Sequence, residues 1–194
     1  MWKFRKMNMT ILSLLVLFIF TSGKTQAQEF NLNNQESSLK VLGTSNVHDW
    51  ELDAENLSGK ISFKNLNECL IEAINVVVTA ESLKSGKSSM DKNTFKALKT
   101  DDHKTITFQL VEAKSVTSKG AGVFAVKSSG DLTIAGTKKR ISLDFDVNTN
   151  GGKAILTGEK KINMTDFKVE PPKAMFGAIT TGEELTIKFS IVLK

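Results

Sequence analysis

The sequence predicts an all-β protein, an antiparallel β-barrel of about eight strands with one short α-helix. Three observations carry that expectation. Apolar and polar residues alternate through segment after segment, the period with which strand side chains point to opposite faces. Turn signals separate these segments at roughly even spacing. Only the stretch from Ser89 to Lys99 has helical spacing instead.

The elements follow in chain order. Leu39 and Val41 begin a strand that passes through Gly43, and Trp50, Leu52 and Ala54 form the next apolar face. Leu57, Ile61 and Phe63 continue after a change of parity near Asn56. A long run from Leu70 to Leu83 places Ile74, Val76, Val78 and Ala80 on one side. Ser88 with Asp91 three residues on has the form of a capping box, and Met90, Thr94, Ala97 and Leu98 follow at helical spacing, with Phe95 turned partly inward. Later strands carry Ile106, Phe108 and Leu110, then Phe124, Val126, Leu132 and Ile134, then Ile141, Leu143, Phe145 and Val147. Leu156, Gly158, Ile162 and Met164 precede the clearest strand, where Leu185, Ile187, Phe189, Ile191 and Leu193 share one face. Turn signals fall at Ser118-Lys119-Gly120, Gly136-Thr137 and Asn148 to Gly152.

Residues 1–27 read as a secretory signal peptide. Lys3, Arg5 and Lys6 precede the apolar run Ile11 to Phe20, and Thr25-Gln26-Ala27 offers a small-residue cleavage site. That run is half the ~20 residues a spanning helix needs. No cysteine stands near the cleavage site to carry a lipid, so a soluble periplasmic or secreted domain over residues 28–194 is expected. The leader holds four basic residues and no acid, which leaves 22 Lys and Arg against 21 Asp and Glu. Lys138-Lys139-Arg140 and Lys160-Lys161 are short basic runs beside strand ends, not the clustered face a nucleic acid requires. Cys69 is the only cysteine, so an internal disulfide and a C-x-x-C redox site are both excluded.

Few residues offer chemistry. His48 and Asp49 stand together before Trp50, and Asp101, Asp102 and His103 form a second group. Neighbours on a strand point to opposite faces, so His48 and Asp49 do not readily share a ligand. A zinc site needs three or four convergent ligands, which would require the two groups to meet. No metal site is expected. Gly86-Lys87-Ser88 resembles the end of a P-loop, but Glu81 stands where its first glycine belongs. No nucleophile elbow and no G-x-G-x-x-G occurs. The apolar lining is therefore the main functional signal, and it suits either a packed core or a chamber for an apolar ligand. Small residues along it, Gly43, Ala54, Ala80 and Gly158, suit a cavity or tight curvature equally.

Ordered segments of the chain resemble the YceI-like family. They are Gly43-Thr44-Ser45-Asn46-Val47-His48-Asp49-Trp50, the helix from Ser89 to Lys99, the strand Ile106-Thr107-Phe108, Gly130 to Thr137, and Pro171-Pro172 with Met175-Phe176-Gly177. The resemblance spans Leu39 to Leu193. It implies a lipocalin-like, extended barrel exported to the periplasm that encloses a polyisoprenoid, a quinone-like compound or a fatty-acyl or amide lipid. It implies a binding protein rather than an enzyme, with no cofactor beyond the lipid itself, and a homodimer is compatible with it. Phe63, Val76, Val78, Phe108, Leu132, Ile134, Phe145 and Phe189 would line the tail, with Trp50 beside them. Met90, Phe95, Leu98, Met175 and Phe176 would lie at or cap the mouth, and His48 and Asp49 are candidates for the polar head. Two rivals stay open: an enzyme acting on such a lipid with His48 as base and Asp49 or Asp102 assisting, and a filled barrel serving as an interaction module.

Overall fold

The computed structural model describes residues 27–194. The leader expected over residues 1–27 lies, except for Ala27, outside the described residues. Twelve strands and one helix follow: β1 Gln28–Asn31, β2 Ser38–Ser45, β3 Trp50–Ala54, β4 Leu57–Asn65, β5 Leu70–Thr79, β6 Leu83–Lys84, α1 Ser88–Leu98, β7 Thr105–Gly120, β8 Val123–Ile134, β9 Thr137–Asn148, β10 Ala154–Asn163, β11 Lys173–Ala174 and β12 Ile179–Leu193. All pair antiparallel in the order β1-β4-β5-β7-β8-β9-β10-β12-β2-β3-β6, with β11 added against β12.

The count of twelve corrects the expected eight or so. The difference lies in breaks within long walls. β3 and β4 flank the bend at Glu55-Asn56, where the apolar parity changes, and β5 and β6 flank the 3-10 turn Ala80–Ser82. β1 and β2 are likewise parted by a turn in which Ser37 Oγ donates to Asn33 O at 2.7 Å. The sheet curls until this edge meets β12. Asn31 N donates to Lys194 O at 2.9 Å, Lys194 N returns to Asn31 O at 3.0 Å, and Leu32 bridges Leu193.

Two hairpins show how locally the register is set. The β7–β8 turn places Ala121 and Gly122 at φ 48° and 72°, and the β8–β9 turn places Ala135 and Gly136 at 47° and 74°. Two consecutive positive φ values match the right-handed twist of the flanking strands. Glycine takes the second position in both because it carries no Cβ to strain.

One end of the curl is solid. Ile61, Phe63, Cys69, Val126, Val147, Ala154 and Leu193 are buried there to 1% exposure or less. Phe30 stands edge-on to Phe63, ring centroids 5.8 Å apart. At the other end β9 and β10 part company. Their pairing covers only Ile155↔Asn148 to Gly158↔Phe145, so Thr137 to Asp144 and Glu159 to Asn163 have no partner across that seam. The 3-10 turn Met164–Phe167 and the residues after it fill the space. Met164, Phe167 and Val169 are buried against Leu132, Ile134 and Ile162, and Lys139 pairs with Asp166 on the outside.

Candidate functional site

The open half of the curl surrounds a cavity of about 410 Å3. That lies within the range of roughly 300–1,000 Å3 typical of small-molecule sites. Alternation puts one apolar face of nearly every strand onto it. β2 contributes Leu39 and Val41, β3 Trp50 and Leu52, β5 Ile74, Val76 and Val78, and β7 Ile106 and Phe108. β8 adds Leu132 and Ile134, β9 Ile141, Leu143 and Phe145, β10 Leu156 and Ile162, and β12 Leu185, Ile187, Phe189 and Ile191. Met164, Phe167 and Val169 complete the wall at the β9–β10 seam.

Helix α1 lies along one side. Met90, Thr94, Ala97 and Leu98 face the cavity together with Ser89 and Asn93, as the spacing predicts. Its N-terminus differs from the capping-box expectation. Lys87 is the N-cap and makes no side-chain cap. Asp91 instead turns back to the approaching chain and accepts from Ser85 Oγ at 2.6 Å and Ser85 N at 2.8 Å. Burial opposes ionisation of Asp91, but these bonds and the charge of Lys84 prevail and hold its carboxyl below the usual carboxylate range. At the other end Lys99 adopts φ 53°, and the N–H of Thr100 donates to Phe95 O at 3.1 Å. Phe95 itself looks away from the cavity, under the ammonium of Lys84 at 4.7 Å from the ring centroid.

The glycines of the wall are seats for rings. A Cβ on Gly43 would fall 2.2 Å from the Trp50 ring, one on Gly130 2.4 Å from Phe108, and one on Gly158 2.8 Å from Phe189. Each ring packs over bare backbone of the adjoining strand. Gly43, Gly130 and Gly158 therefore seat the cavity aromatics, while Ala54 and Ala80 do not line the cavity.

Charge on the lining has one sign. Lys87, Lys160 and Lys173 line the cavity with His48, and no carboxylate does. None of these lysines forms an ion pair among the described residues. Lys160 occupies the inward parity of β10 between Gly158 and Ile162, and its Nζ donates to Ser142 Oγ at 3.2 Å across the β9–β10 seam. His48 Nδ1 lies 2.7 Å from the backbone oxygen of Asp49, so no carboxylate orients the imidazole. Asp49 lines an adjoining outer groove with Thr44, Glu51 and Glu184, which shares His48, Trp50, Lys87 and Met90 with the cavity. His103 packs by Gly136, away from His48. Among the described residues no three His, Cys, Asp or Glu side chains converge as a metal would require.

Most of the anticipated tail-facing residues thus come together: Trp50, Val76, Val78, Phe108, Leu132, Ile134, Phe145 and Phe189, with Met90 and Leu98 from the helix. Phe63 packs in the solid end, and Met175 and Phe176 stand out in solvent at 70% and 113% exposure. Phe167 and Lys160 are the informative omissions. Met164 and Phe167 sit three apart, one helical turn, and Lys160 falls on a face otherwise made of Ala154, Leu156, Gly158 and Ile162.

Among the described residues a curled antiparallel sheet, one helix beside the cavity and an apolar chamber agree with the family to which the chain is matched. The YceI-like domain model matches residues 29–193. The chain belongs to the YceI-like family. Among solved structures it is similar to BcnA of Burkholderia cenocepacia, with a TM-score of 0.68 at 16% identity over 83% of this chain and 98% of that one. It is also similar to a polyisoprenoid binding domain from Saccharophagus degradans implicated in plant cell wall breakdown, with a TM-score of 0.67 at 14% identity over 85% and 97%. The YCEI protein of Campylobacter jejuni gives 0.55 at 19% over 71% and 80%. These identities speak to the fold alone. No curated protein sequence matches the chain. Among the described residues no helix is long and apolar enough to cross a membrane.

Proposed function

We propose that this YceI-like protein is an exported, non-enzymatic binding or carrier protein that encloses the tail of a long-chain amphiphile. The ligand classes that fit are a polyisoprenoid, a quinone-like compound or a fatty-acyl or amide lipid. One observation carries the reading: the same curl is packed solid at one end and hollow at the other, and the hollow is walled by apolar side chains from ten strands and one helix. Burial of apolar tail contributes about 0.8 kcal/mol per CH2, so a dozen or so carbons could support binding with few polar contacts. In this reading Val76, Val78, Phe108, Leu132, Ile134, Phe145 and Phe189 meet the tail, Met90 and Leu98 cover it, and His48, which lines the cavity, meets the polar end. The relation in fold to a structure described as a polyisoprenoid binding domain supports this reading. So does the signal-peptide pattern of residues 1–27, which supports export to the periplasm or beyond.

A base at His48 has weaker support, because catalysis by imidazole usually needs a partner that fixes its tautomer, and here the contact is a backbone oxygen. Native mass spectrometry of the exported protein, followed by solvent extraction, tests the proposal and reads oligomeric state at the same time. The expected result is one lipid of defined mass per chain. A lipid-free protein whose apo form also refuses prenyl and acyl ligands would overturn it.

A further inference from the structure

We propose that the mouth of the cavity is a membrane-docking face, with Val47, Met175 and Phe176 entering the headgroup region of an anionic bilayer while Lys87 and Lys173 meet its surface charge. The apolar tip is the primary observation. Phe176 is fully exposed and Met175 and Val47 are 70% and 62% exposed, a cost in water that a globular surface normally avoids for clustered large side chains.

The backbone holds the tip outward. Met175 and Phe176 have φ of 50° and 51°, followed by Gly177 at 95°. Consecutive left-handed non-glycine residues are rare and persist where surroundings impose them. The neighbours Lys173, Ala174 and Ile179 line the cavity, so the tip rises directly from its rim. Val47 is fixed to the same rim by Asn46. Its Nδ2 donates to Ala178 O at 2.9 Å, its N–H to Thr180 O at 3.1 Å, and its Oδ1 accepts from Thr180 N at 2.9 Å.

Charge and size choose the occupant. Lys87 and Lys173 stand at the rim and form no ion pair among the described residues. The acids nearby are Asp49, Glu51 and Glu184, which share an outer groove with Lys87, and Asp166 and Glu170 on the segment before the tip, Asp166 being paired with Lys139. Three side chains cannot supply the roughly 1,200 Å2 that a stable protein interface buries. They do suffice as a shallow wedge assisted by lysines at a negatively charged lipid surface. Docking in this pose would set the opening against the phase in which an apolar ligand resides. The geometry of the tip is independent of what the cavity holds.

Flotation of the exported chain with vesicles tests this. Binding is expected to phosphatidylcholine vesicles containing phosphatidylglycerol, more weakly to phosphatidylcholine alone, and less in high salt. The pair M175S and F176S should lower vesicle binding by roughly tenfold or more, with thermal melting and uptake of ligand from solution unchanged. K87E with K173E should remove the preference for phosphatidylglycerol. L70S, an exposed residue at the solid end, should change nothing. Failure of the parent chain to float, or equal flotation of the serine variant, would overturn the proposal. So would a tip-dependent dimer with no vesicle binding, which would assign the tip to a second copy. Lipid found in the cavity together with no flotation would overturn docking while leaving the binding function standing.

Discussion

Trp50 is fixed from two sides by β2: its Nε1 donates to the carbonyl of Thr44 at 2.9 Å, and its ring occupies the space above Gly43, its register partner. One indole thereby joins the loop that carries His48 to the wall of the cavity. Gly43→Ala would drive a methyl into the ring. Overpacking of this kind costs about 1–3 kcal/mol. The expected outcome is a lower midpoint in urea and a shift of tryptophan emission toward that of exposed indole, measured together in one titration.

The contrast between the hollow and solid halves gives a second outcome. Val76→Phe adds a ring to the cavity wall and should reduce uptake of a long-chain fluorescent fatty acid at least several-fold, with little change in melting temperature. Phe63→Ala leaves a void in the packed end and should cost about 3–5 kcal/mol, while folded molecules keep their affinity. Equal loss of stability in both variants would show that the cavity behaves as core.

Cys69 is buried with φ 52°, and burial pushes its thiol up to about 11. The folded state favours the neutral thiol. This contribution to stability is complete below the pKa of the unfolded chain, near 9, and is lost as pH rises toward about 11. Native protein should therefore resist a disulfide reagent at pH 8 and react fully once denatured, as followed by thiol absorbance. Rapid labelling of the native form would contradict the assigned burial.

Asp91 gives the opposite sign. Its depressed carboxyl stabilises the fold above the pKa of the unfolded chain, and that contribution fades as pH falls through the lower folded value. Asp91→Ala should loosen the start of α1 by about 1 kcal/mol. Faster amide exchange at Ser85, which donates to Asp91, is the measurement. The parent protein should show the same loss of protection at Ser85, measured against the intrinsic exchange rate, as pH falls through the folded Asp91 value.

Much of this fold is legible because alternation is a local signal. β12 could be read directly, with Leu185, Ile187, Phe189 and Ile191 all on the cavity side. The one helix and its Met90, Thr94, Ala97 and Leu98 face also follow from spacing. What could not be read is where the lining stops being packed, because Phe63 and Phe108 have the same parity and differ only in which end of the curl they occupy. Met175 and Phe176 do stand beside the mouth, as their place after Pro171-Pro172 suggests, but they point into solvent rather than over the opening. The left-handed backbone that turns them outward leaves no mark in residue type. The role of Gly43, Gly130 and Gly158 needed cross-strand register, which a single strand does not encode.

The seam between β9 and β10 has a consequence for how this architecture can change. In a fully paired barrel the bore follows from strand number and shear, and altering it means re-registering the whole wall. Here a stretch of wall is one connecting segment, Met164 to Val169, seated beside strands that do not depend on it for pairing. Substitutions or small insertions in that segment could recalibrate the bore while every hydrogen-bonded ladder stays in place. Diversity of cargo would then evolve through a single short linker.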